Sequence, residues 1–457
     1  MNQRGKEVKT MLQTTRSLCD FLDASPTSFH AADNIKAFLS AHGAVALEER
    51  ESWNLEPGAT YYLERGASAL IAFRPGLQPL GTSGYILAGA HTDSPCLKVR
   101  PDSEKNGRSM LRIAVDVYGG AILSGWLDRP LALAGSVVVR DGEGIKEMLY
   151  NSGKAVGVIP NLPIHLNREI NKGMEYNAHQ HLPVLVDVAS SAPSSSSTAD
   201  ATDESRGDDQ RWLEHKISAD LGIPAADIVA MDLSFYDCQK ATVFGSDERG
   251  ELINASRLDD LAGCHAILEA FSSAKPGPMT QIACFLDAEE IGSMTALGAN
   301  SSFMRDILAR INIAMKGSAE DFYRAGARSL CLSIDAAQAW NPAYTEKFDE
   351  AYSPLLGKGP AVKMNVNQRY ATDMVTESIF KLLCDKASLP WQKYMSRADI
   401  QPGTTIGPMS ASRLGIRAMD IGHPLLAMHA VRETIEGSDH RAMIAALREF
   451  FRGISAI

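Results

Sequence analysis

The sequence predicts an α/β fold in which a mixed sheet is flanked by helices and interrupted by an inserted, mainly β domain. Residues 281–286 are nearly all apolar, which is typical of a strand buried in a parallel sheet. From about Leu97 the pattern changes to short β segments separated by Gly- and Asp-rich turns, and alternating α and β patterns return near Ile228. We therefore predict an α/β domain in two parts, 1–97 and 244–457, with the insertion at 98–243.

The composition is that of an ordinary soluble protein. The chain has 457 residues, a formal net charge of -10, 45% hydrophobic and 22% charged residues, enough for two domains with a large core. The acidic balance argues against a nucleic-acid partner. The seven cysteines show no CxxC spacing, which indicates reduced thiols. The N-terminus lacks an apolar signal core and no run reaches the roughly 20 apolar residues of a membrane span, so we expect a cytoplasmic protein that contacts no membrane.

The first part of the chain begins with a helical pattern from Glu7 to about His42, with a break at Ser25–Pro26. Short β signals follow at 60–63, 69–73 and 84–90. The last of these ends in His91 and Asp93, two residues apart at the exit of a buried strand. In open α/β sheets, ligands bind at the carboxyl ends of the strands, so both residues are candidates for a site.

The predicted insertion contains β segments at 113–117, 132–139 and 182–186. His165 lies between the last two. Residues 189–209 are rich in serine and then acidic, which predicts a disordered loop without chemistry.

The second α/β part places acidic residues at further element ends. Asp259 and Asp260 precede a predicted helix at 261–270, and Glu289 and Glu290 follow the strand at 281–286. Asp335 follows a strand at 329–334. A strand at 416–421 leads into a segment that ends at His429, and an amphipathic helix starts at about Ser438.

These strand exits and turns supply a candidate metal-binding set of two imidazoles and three carboxylates: His91, Asp259, Glu290, Asp335 and His429. Such ligands suit Zn²⁺, and Mn²⁺ or Co²⁺ nearly as well. Spacing alone leaves other interpretations open. A Glu-Glu pair can be a solvated turn, a single histidine is more often a buried structural residue, and Asp259 can cap its helix.

The sequence closely resembles the M18 metallopeptidases, the aspartyl aminopeptidases. The segments that carry the resemblance run from Phe21 to Glu433: FLDASPTSFHAADN, SWNLEPGATYY, AGAHTDSP, SRLDDLAGCHA, FLDAEEIGS, NQRYATD, GTTIGPMSASRLG and LAMHAVRE. The resemblance implies the dinuclear metallopeptidase fold, two divalent ions, most often Zn²⁺, and peptide substrates with a free N-terminus.

The resemblance also implies a ligand set. His91, Asp259 and Asp335 would hold one metal ion, and Asp259, Glu290 and His429 the other, with Asp259 bridging. Asp259 is preferred to Asp260 because relatives often carry Asn at the second position.

Two further roles follow from the same resemblance. Glu289 matches the general base, which would deprotonate a metal-activated water and return the proton to the leaving amine. Asp93 matches the residue that supports His91 and fixes its tautomer. The free α-amine of the substrate would bind one metal, which restricts cleavage to the first residue.

Substrate-binding residues are implied as well. Lys363 matches a lysine that contacts an acidic substrate side chain, although a surface lysine is the commoner fate of this residue type. Tyr370 and the loop 403–407 would shape the same pocket. Gln338 departs from the family, where many relatives carry His; an amide still donates a hydrogen bond but carries no charge.

His165 matches a histidine that reaches a neighbouring subunit's active site in the family. The resemblance further implies dimers, formed through the inserted domain, that assemble into a tetrahedral dodecamer.

Three functions compete at this point. The first is an aminopeptidase that removes N-terminal Asp or Glu. The second is a broader or deblocking enzyme of the M42 type, and the third is an inactive scaffold or cargo receptor. Lys363 and the NQRYATD segment favour the first, and the complete ligand set argues against the third.

Overall fold

The computed structural model describes residues 3–107, 109–188, 211–246 and 250–453. The serine-rich loop predicted at 189–209 lies outside the described residues. The chain forms two compact units: one combines the residues up to Ser94 with those from Lys240, and the other is Pro95–Gln239. The prediction from the sequence placed the insertion at 98–243.

The described helices and strands are numbered here in chain order. The helices are α1 (Gln3–Ala24), α2 (Ser28–Ala41), α3 (Leu80–Ser83), α4 (Ala178–His181), α5 (Trp212–Leu221), α6 (Leu258–Ser273), α7 (Phe303–Ala314), α8 (Ala319–Ala327), α9 (Met374–Ala387), α10 (Ile406–Leu414) and α11 (Gly437–Phe451). The strands of the first half are β1 (Val45–Ala46), β2 (Tyr61–Arg65), β3 (Ala69–Arg74), β4 (Tyr85–His91), β5 (Cys96–Gly107), β6 (Met110–Tyr118), β7 (Leu131–Asp141), β8 (Gly144–Asn151), β9 (Val184–Val188) and β10 (Ile228–Asp237). Those of the second half are β11 (Thr242–Ser246), β12 (Gly250–Ala255), β13 (Thr280–Leu286), β14 (Leu330–Ile334), β15 (Ala337–Gln338), β16 (Ala361–Lys363), β17 (Gln392–Tyr394), β18 (Arg417–Gly422), β19 (Pro424–Leu426) and β20 (Glu433–Glu436).

The first unit contains a nine-stranded mixed sheet in the order β1-β2-β3-β13-β4-β14-β18-β16-β17. Its central strands β13, β4, β14 and β18 are parallel, whereas β3 and β16 pair antiparallel with their neighbours in this group. Parallel strands end at the same edge of a sheet, so the residues that follow β4, β13 and β14 lie close together. The predicted mixed α/β fold is confirmed.

The central strands are buried on both faces. In β13, Ala283 and Phe285 belong to one apolar cluster, and Ile282, Cys284 and Leu286 to another. This alternation follows from the two-residue period of a strand. Helices α1, α2, α6, α9 and α11 contribute to the first cluster, and α7, α8 and α10 to the second. The sheet is therefore held between two helical layers.

A smaller sheet completes the first unit, in the order β11-β12-β20-β19-β15. The turn between β19 and β20 carries His429, whose φ is +66°. This sheet thus presents an imidazole from a tight turn.

The second unit is built on a six-stranded antiparallel sheet in the order β8-β7-β10-β5-β6-β9. Its loop at 162–166 is exposed and carries Leu162, Ile164 and Leu166 around His165. The mainly β character predicted for this part of the chain is observed.

The predicted break at Ser25–Pro26 separates α1 from α2, and the final helix begins at Gly437. All seven cysteines are free thiols. None of the helices in the described ranges is both long and apolar enough to cross a bilayer.

Candidate metal centre

Three neighbouring parallel strands deliver side chains to one point. His91 is the last residue of β4, Asp335 directly follows β14, and Glu289 and Glu290 form a short 3₁₀ turn after β13. The apolar strands thus place polar residues at their ends, where the sheet stops and hydrogen bonding between strands no longer occupies the backbone.

The start of α6 adds a carboxylate from the side. Asp259 and Asp260 have non-helical backbone angles, and their carboxylates are used differently. An oxygen of Asp260 accepts the backbone N–H of His91 at 3.3 Å. Asp259 instead lies between two imidazoles, 3.5 Å from His91 Nε2 and 3.3 Å from His429 Nε2.

The ligand atoms form compact groups. His429 Nε2 is also 3.4 Å from a carboxylate oxygen of Glu290. Among the residues that the structure describes, three groups have ligand atoms within 4.8 Å of one another: His91, Asp259 and Asp335; Asp259, Glu290 and His429; and His91, Glu289 and Glu290. Asp259 is shared by the first two groups.

Burial and charge crowding dominate the electrostatics. Burial, together with the charge of Asp259, raises the pKa of Glu289 to about 8 and that of Glu290 to about 9, against the lowering effect of His91. Burial alone would lower the pKa of His91, but its contacts with the carboxylates of Asp259 and Asp93 raise it. The carboxylates thus outnumber the cations that could neutralise them.

Two buried oxygens of the candidate ligands make no well-formed hydrogen bond in the described part of the chain: Asp259 Oδ1 and Glu290 Oε1. Their nearest imidazole nitrogens, His91 Nε2 and His429 Nε2, lie 3.5 Å and 3.4 Å away. Leaving such an acceptor unpaired is costly, and more so when it is charged. Divalent cations would satisfy both oxygens, and the mixture of imidazole and carboxylate ligands suits Zn²⁺. The residues present therefore fit a metal centre.

Asp93 supports this centre through several hydrogen bonds. Its two carboxylate oxygens accept the backbone N–H groups of Glu289 and Glu290, each at 3.1 Å. His91 Nδ1 lies 3.0 Å from the backbone oxygen of Asp93 and 3.4 Å from its carboxylate. The side chain thus fixes the turn that carries both glutamates, a contact that sequence reasoning did not anticipate.

Glu433 is a further residue that sequence reasoning missed. It is 2% exposed, and its carboxylate accepts the backbone N–H of Asp259 at 3.0 Å and that of His429 at 2.7 Å. One carboxylate therefore orients two candidate ligands. Its position at the end of the LAMHAVRE segment was the only signal, because contacts to backbone groups leave no residue pattern.

Replacing Glu433 by Gln should weaken metal binding by about 10- to 100-fold, the usual cost of losing a supporting contact. The amide keeps one acceptor but turns an NH₂ donor towards the second backbone N–H. Zinc affinity should be measured by competition with a chelator, with Glu320→Gln as the control on an exposed helix surface. Wild-type affinity in Glu433→Gln would contradict the assignment.

A cavity of about 290 Å³ opens onto the centre. Its lining includes several of the predicted substrate-binding residues: Gln338, Lys363, Tyr370, Gly403 and Thr404, together with Asp259, Glu289, Asp335 and His429. Tyr394, which was not predicted, also lines it and donates to Gln338 Oε1 at 3.1 Å.

Lys363 is not a surface lysine, since it is only 3% exposed. Its ammonium donates to Asp335 Oδ2 at 3.2 Å and to the backbone oxygen of Ala336 at 2.7 Å, and it lies 4.9 Å from the ring centre of Tyr370. Although burial opposes it, the charge of Asp335 raises the lysine pKa, so this group stays cationic.

The first unit thus brings together ten of the eleven predicted site residues: His91, Asp93, Asp259, Glu289, Glu290, Asp335, Gln338, Lys363, Tyr370 and His429. The eleventh, His165, belongs to the second unit, where it is exposed. Its role stays a prediction.

Known proteins identify the class to which this fold and site belong. A family model described as aminopeptidase I zinc metalloprotease (M18) matches residues 21–451. A probable M18 family aminopeptidase 2 from Stutzerimonas stutzeri is 41% identical over 441 residues, covering 96% of this chain and 98% of the relative. Its counterpart from Clostridium novyi is 38% identical over 449 residues, covering 97% and 100%. A solved dodecamer of mApe1 from S. cerevisiae superposes with a TM-score of 0.81 at 25% identity, covering 96% of each chain.

The protein is a metal-dependent hydrolase of the aminopeptidase class. It belongs to the M18 family of zinc metallo-aminopeptidases.

Proposed function

We propose that the enzyme removes acidic residues, Asp or Glu, from the N-terminus of peptides by means of two divalent ions, most often Zn²⁺. The observation that carries the two-metal part is the position of Asp259 between two groups of ligand atoms, with buried oxygens of Asp259 and Glu290 that make no well-formed hydrogen bond in the described chain. His91, Asp259 and Asp335 would hold one ion, and Asp259, Glu290 and His429 the other.

Metal ions at this place would lower the pKa of a water molecule and polarise the peptide carbonyl. Glu289 is the residue that moves the proton. Its side chain is 13% exposed and lines the cavity, so its carboxylate can reach both the attacking water and the leaving amine. The carboxylate of Asp93 holds the backbone of Glu289 in place by accepting the Glu289 N–H.

The positive charge of Lys363 supports a preference for substrates with an acidic first residue. The Lys363 ammonium lines a partly enclosed cavity, where a cation favours a carboxylate over a neutral side chain. Gln338 faces the same cavity and can donate to a substrate oxygen without adding charge.

For the assembly, we propose a dodecamer built of dimers, with the second unit as the dimerisation element. Support comes from the dodecameric relative and from the exposed apolar side chains of Ile164 and Leu166, which flank His165. Burying such side chains between subunits would stabilise a dimer.

The test is the initial rate on Asp-, Glu-, Leu- and Lys-p-nitroanilide after removal of metal by chelation and re-addition of Zn²⁺, Mn²⁺ or Co²⁺. We expect metal-dependent turnover of the two acidic substrates and little of the others. Turnover led by Leu would contradict the acidic preference while keeping the chemistry. A well-assembled sample with no turnover in any metal would favour the scaffold function.

One observation favours a second candidate, a broader aminopeptidase. The Lys363 ammonium already donates to Asp335 and to the Ala336 carbonyl, so part of its charge is balanced within the protein. If these contacts persist with substrate bound, the selection for acidic side chains weakens. The same substrate panel separates the two candidates.

A further inference from the structure

A second, larger cavity of about 860 Å³ lies in the first unit. It shares Thr404 with the cavity at the metal centre, and three backbone segments line both in succession: Lys363 and Met364, Tyr394 and Met395, and Gly403 and Thr404. The two cavities are therefore neighbours that adjoin at Thr404.

The two cavities differ in volume, as the two parts of a peptide on either side of the scissile bond differ in length. The one at the metal centre, with about 290 Å³, is at the lower limit of sites for small ligands, which range over roughly 300–1,000 Å³. The other, with about 860 Å³, lies near the upper limit and can take several residues. An aminopeptidase substrate has this form, since one residue precedes the scissile bond and a longer chain follows it.

The charges in the larger cavity are not equivalent. Arg397 forms an ion pair with Asp399, with a closest N–O distance of 2.7 Å. Asp349 accepts the backbone N–H groups of Ala351 and Tyr352. Arg369, by contrast, is exposed, and within the described ranges its guanidinium has no carboxylate partner. It is therefore the arginine of this cavity that is available to a ligand.

The backbone around Arg369 is well held. Its carbonyl oxygen accepts the hydroxyl of Thr404 at 3.2 Å, which ties it to the residue shared by the two cavities. The preceding turn is closed by a hydrogen bond from the Gln368 backbone N–H to the Asn365 oxygen at 3.1 Å. The guanidinium thus extends from a backbone position that is fixed to the residue shared by the two cavities.

We propose that the larger cavity binds the part of the peptide that follows the scissile bond, and that Arg369 selects a carboxylate on that leaving peptide. This inference rests on the proposed aminopeptidase function and deepens it. The enzyme then binds two carboxylates of the substrate. One is on the residue to be removed and lies near Lys363, and the other is on the peptide after the scissile bond and binds Arg369. Hydrogen bonds between a guanidinium and a carboxylate are charge-assisted and can be bidentate, which makes arginine suited to this selection.

The test uses the full-length, metal-loaded enzyme and tetrapeptides that begin with Asp and end in an amide, with Ala, Glu or Lys at the third position. Two further substrates complete the set. They are the peptide with Ala at the third position but a free C-terminus, and Asp-p-nitroanilide. For wild type we expect kcat/KM on the Glu peptide to exceed that on the Lys peptide by about 3- to 10-fold, in line with a partly exposed charged hydrogen bond. If the Ala peptide with a free C-terminus exceeds its amide in kcat/KM by a similar factor, the terminal carboxylate is a second source of the same ligand.

Arg369→Gln should remove this preference, and Arg369→Lys should keep part of it. Arg417→Gln is the matched control, because Arg417 is exposed on the same unit and lines neither cavity. Val366→Asp offers an independent variant. This residue is 85% exposed on the wall of the larger cavity, and a carboxylate there should shift the preference towards the Lys peptide.

The proposal is overturned if wild type shows no preference among the amidated peptides, or if Arg369→Gln retains it. Loss of the preference in Arg417→Gln would also overturn it, because the effect would then be one of net charge. Failure of the proposed function is visible separately, since wild type would then hydrolyse none of the peptides that begin with Asp, whatever their third residue.

Discussion

Replacing Glu289 by Gln is expected to lower kcat by about 10²- to 10⁴-fold, the usual contribution of a general base, while leaving the metal content unchanged. Glutamine has nearly the same shape and keeps an acceptor oxygen, but it cannot take a proton at neutral pH. Because the backbone N–H of Glu289 is held by Asp93, the local turn should remain in place. Activity on Asp-p-nitroanilide and zinc content would be measured on the same sample.

Glu290→Gln is the matched comparison. The Glu290 carboxylate is 3% exposed and lies 3.4 Å from His429 Nε2, and it does not line the cavity at the metal centre. This variant should therefore lose metal affinity, and excess zinc should restore part of its activity. Normal turnover by Glu289→Gln, or its rescue by added metal, would contradict the general-base assignment.

The second large effect concerns acid stability. Three fully buried histidines form a hydrogen-bonded chain in the first unit: His265 Nδ1 is 2.9 Å from His440 Nε2, and His440 Nδ1 is 3.1 Å from His423 Nε2. The chain begins at Ser17, whose hydroxyl lies 3.0 Å from His265 Nε2. Burial lowers the pKa of His265 to about 3 and that of His423 to about 4, and it lowers that of His440 well below the usual value.

Each of these histidines stays neutral in the folded protein but takes up a proton near pH 6.5 once unfolded. The unfolded state then binds more protons, so the free energy of unfolding falls as the pH drops below 6.5 towards the folded pKa. One histidine accounts for about 2 kcal/mol between pH 7 and pH 5. Buried carboxylates with raised pKa values, such as Glu433, act in the opposite sense, so wild type alone does not isolate the effect.

The variant His440→Gln isolates the contribution of one buried histidine to the pH dependence of stability. The amide can donate and accept within the chain but does not titrate. Relative to wild type, this variant should gain about 2 kcal/mol of unfolding free energy between pH 7 and pH 5, whatever constant cost the substitution carries. Denaturant unfolding of both metal-free proteins measures the difference, and His165→Gln, at an exposed histidine, serves as the control. If the difference in unfolding free energy between His440→Gln and wild type does not change with pH, His440 is not neutral in the folded state.

The sequence predicted those parts of the site that follow from strand ends. His91, Glu289 and Asp335 were found because apolar runs define buried strands, and the residues after them must lie at one edge of the sheet. The choice of Asp259 over Asp260 came from the resemblance to the family. In the structure the two side chains make different contacts: Asp260 accepts the backbone N–H of His91, whereas Asp259 lies beside its imidazole.

What the sequence did not reveal is how the site is supported. Glu433 and Asp259 are 174 positions apart, and their contact joins a carboxylate to a backbone group, which any residue type provides. The chain of three histidines likewise joins distant segments with no common spacing. The burial of Lys363 depends on the packing of β16 beside β18, which no local pattern encodes.

The order of the strands has a consequence for how the enzyme is made. Strand β4, which ends at His91, pairs on one side with β13 and on the other with β14, both encoded after the inserted unit. A ribosome that has just released Gln239 has therefore produced a β4 strand with neither of its neighbours and without the other candidate metal ligands. The proposed site of His91, Asp259 and Asp335 would be complete only after Asp335 has emerged. A protease nick within the insertion, made after folding, would leave the two fragments joined by backbone hydrogen bonds on both sides of β4, so the cut enzyme should stay in one piece.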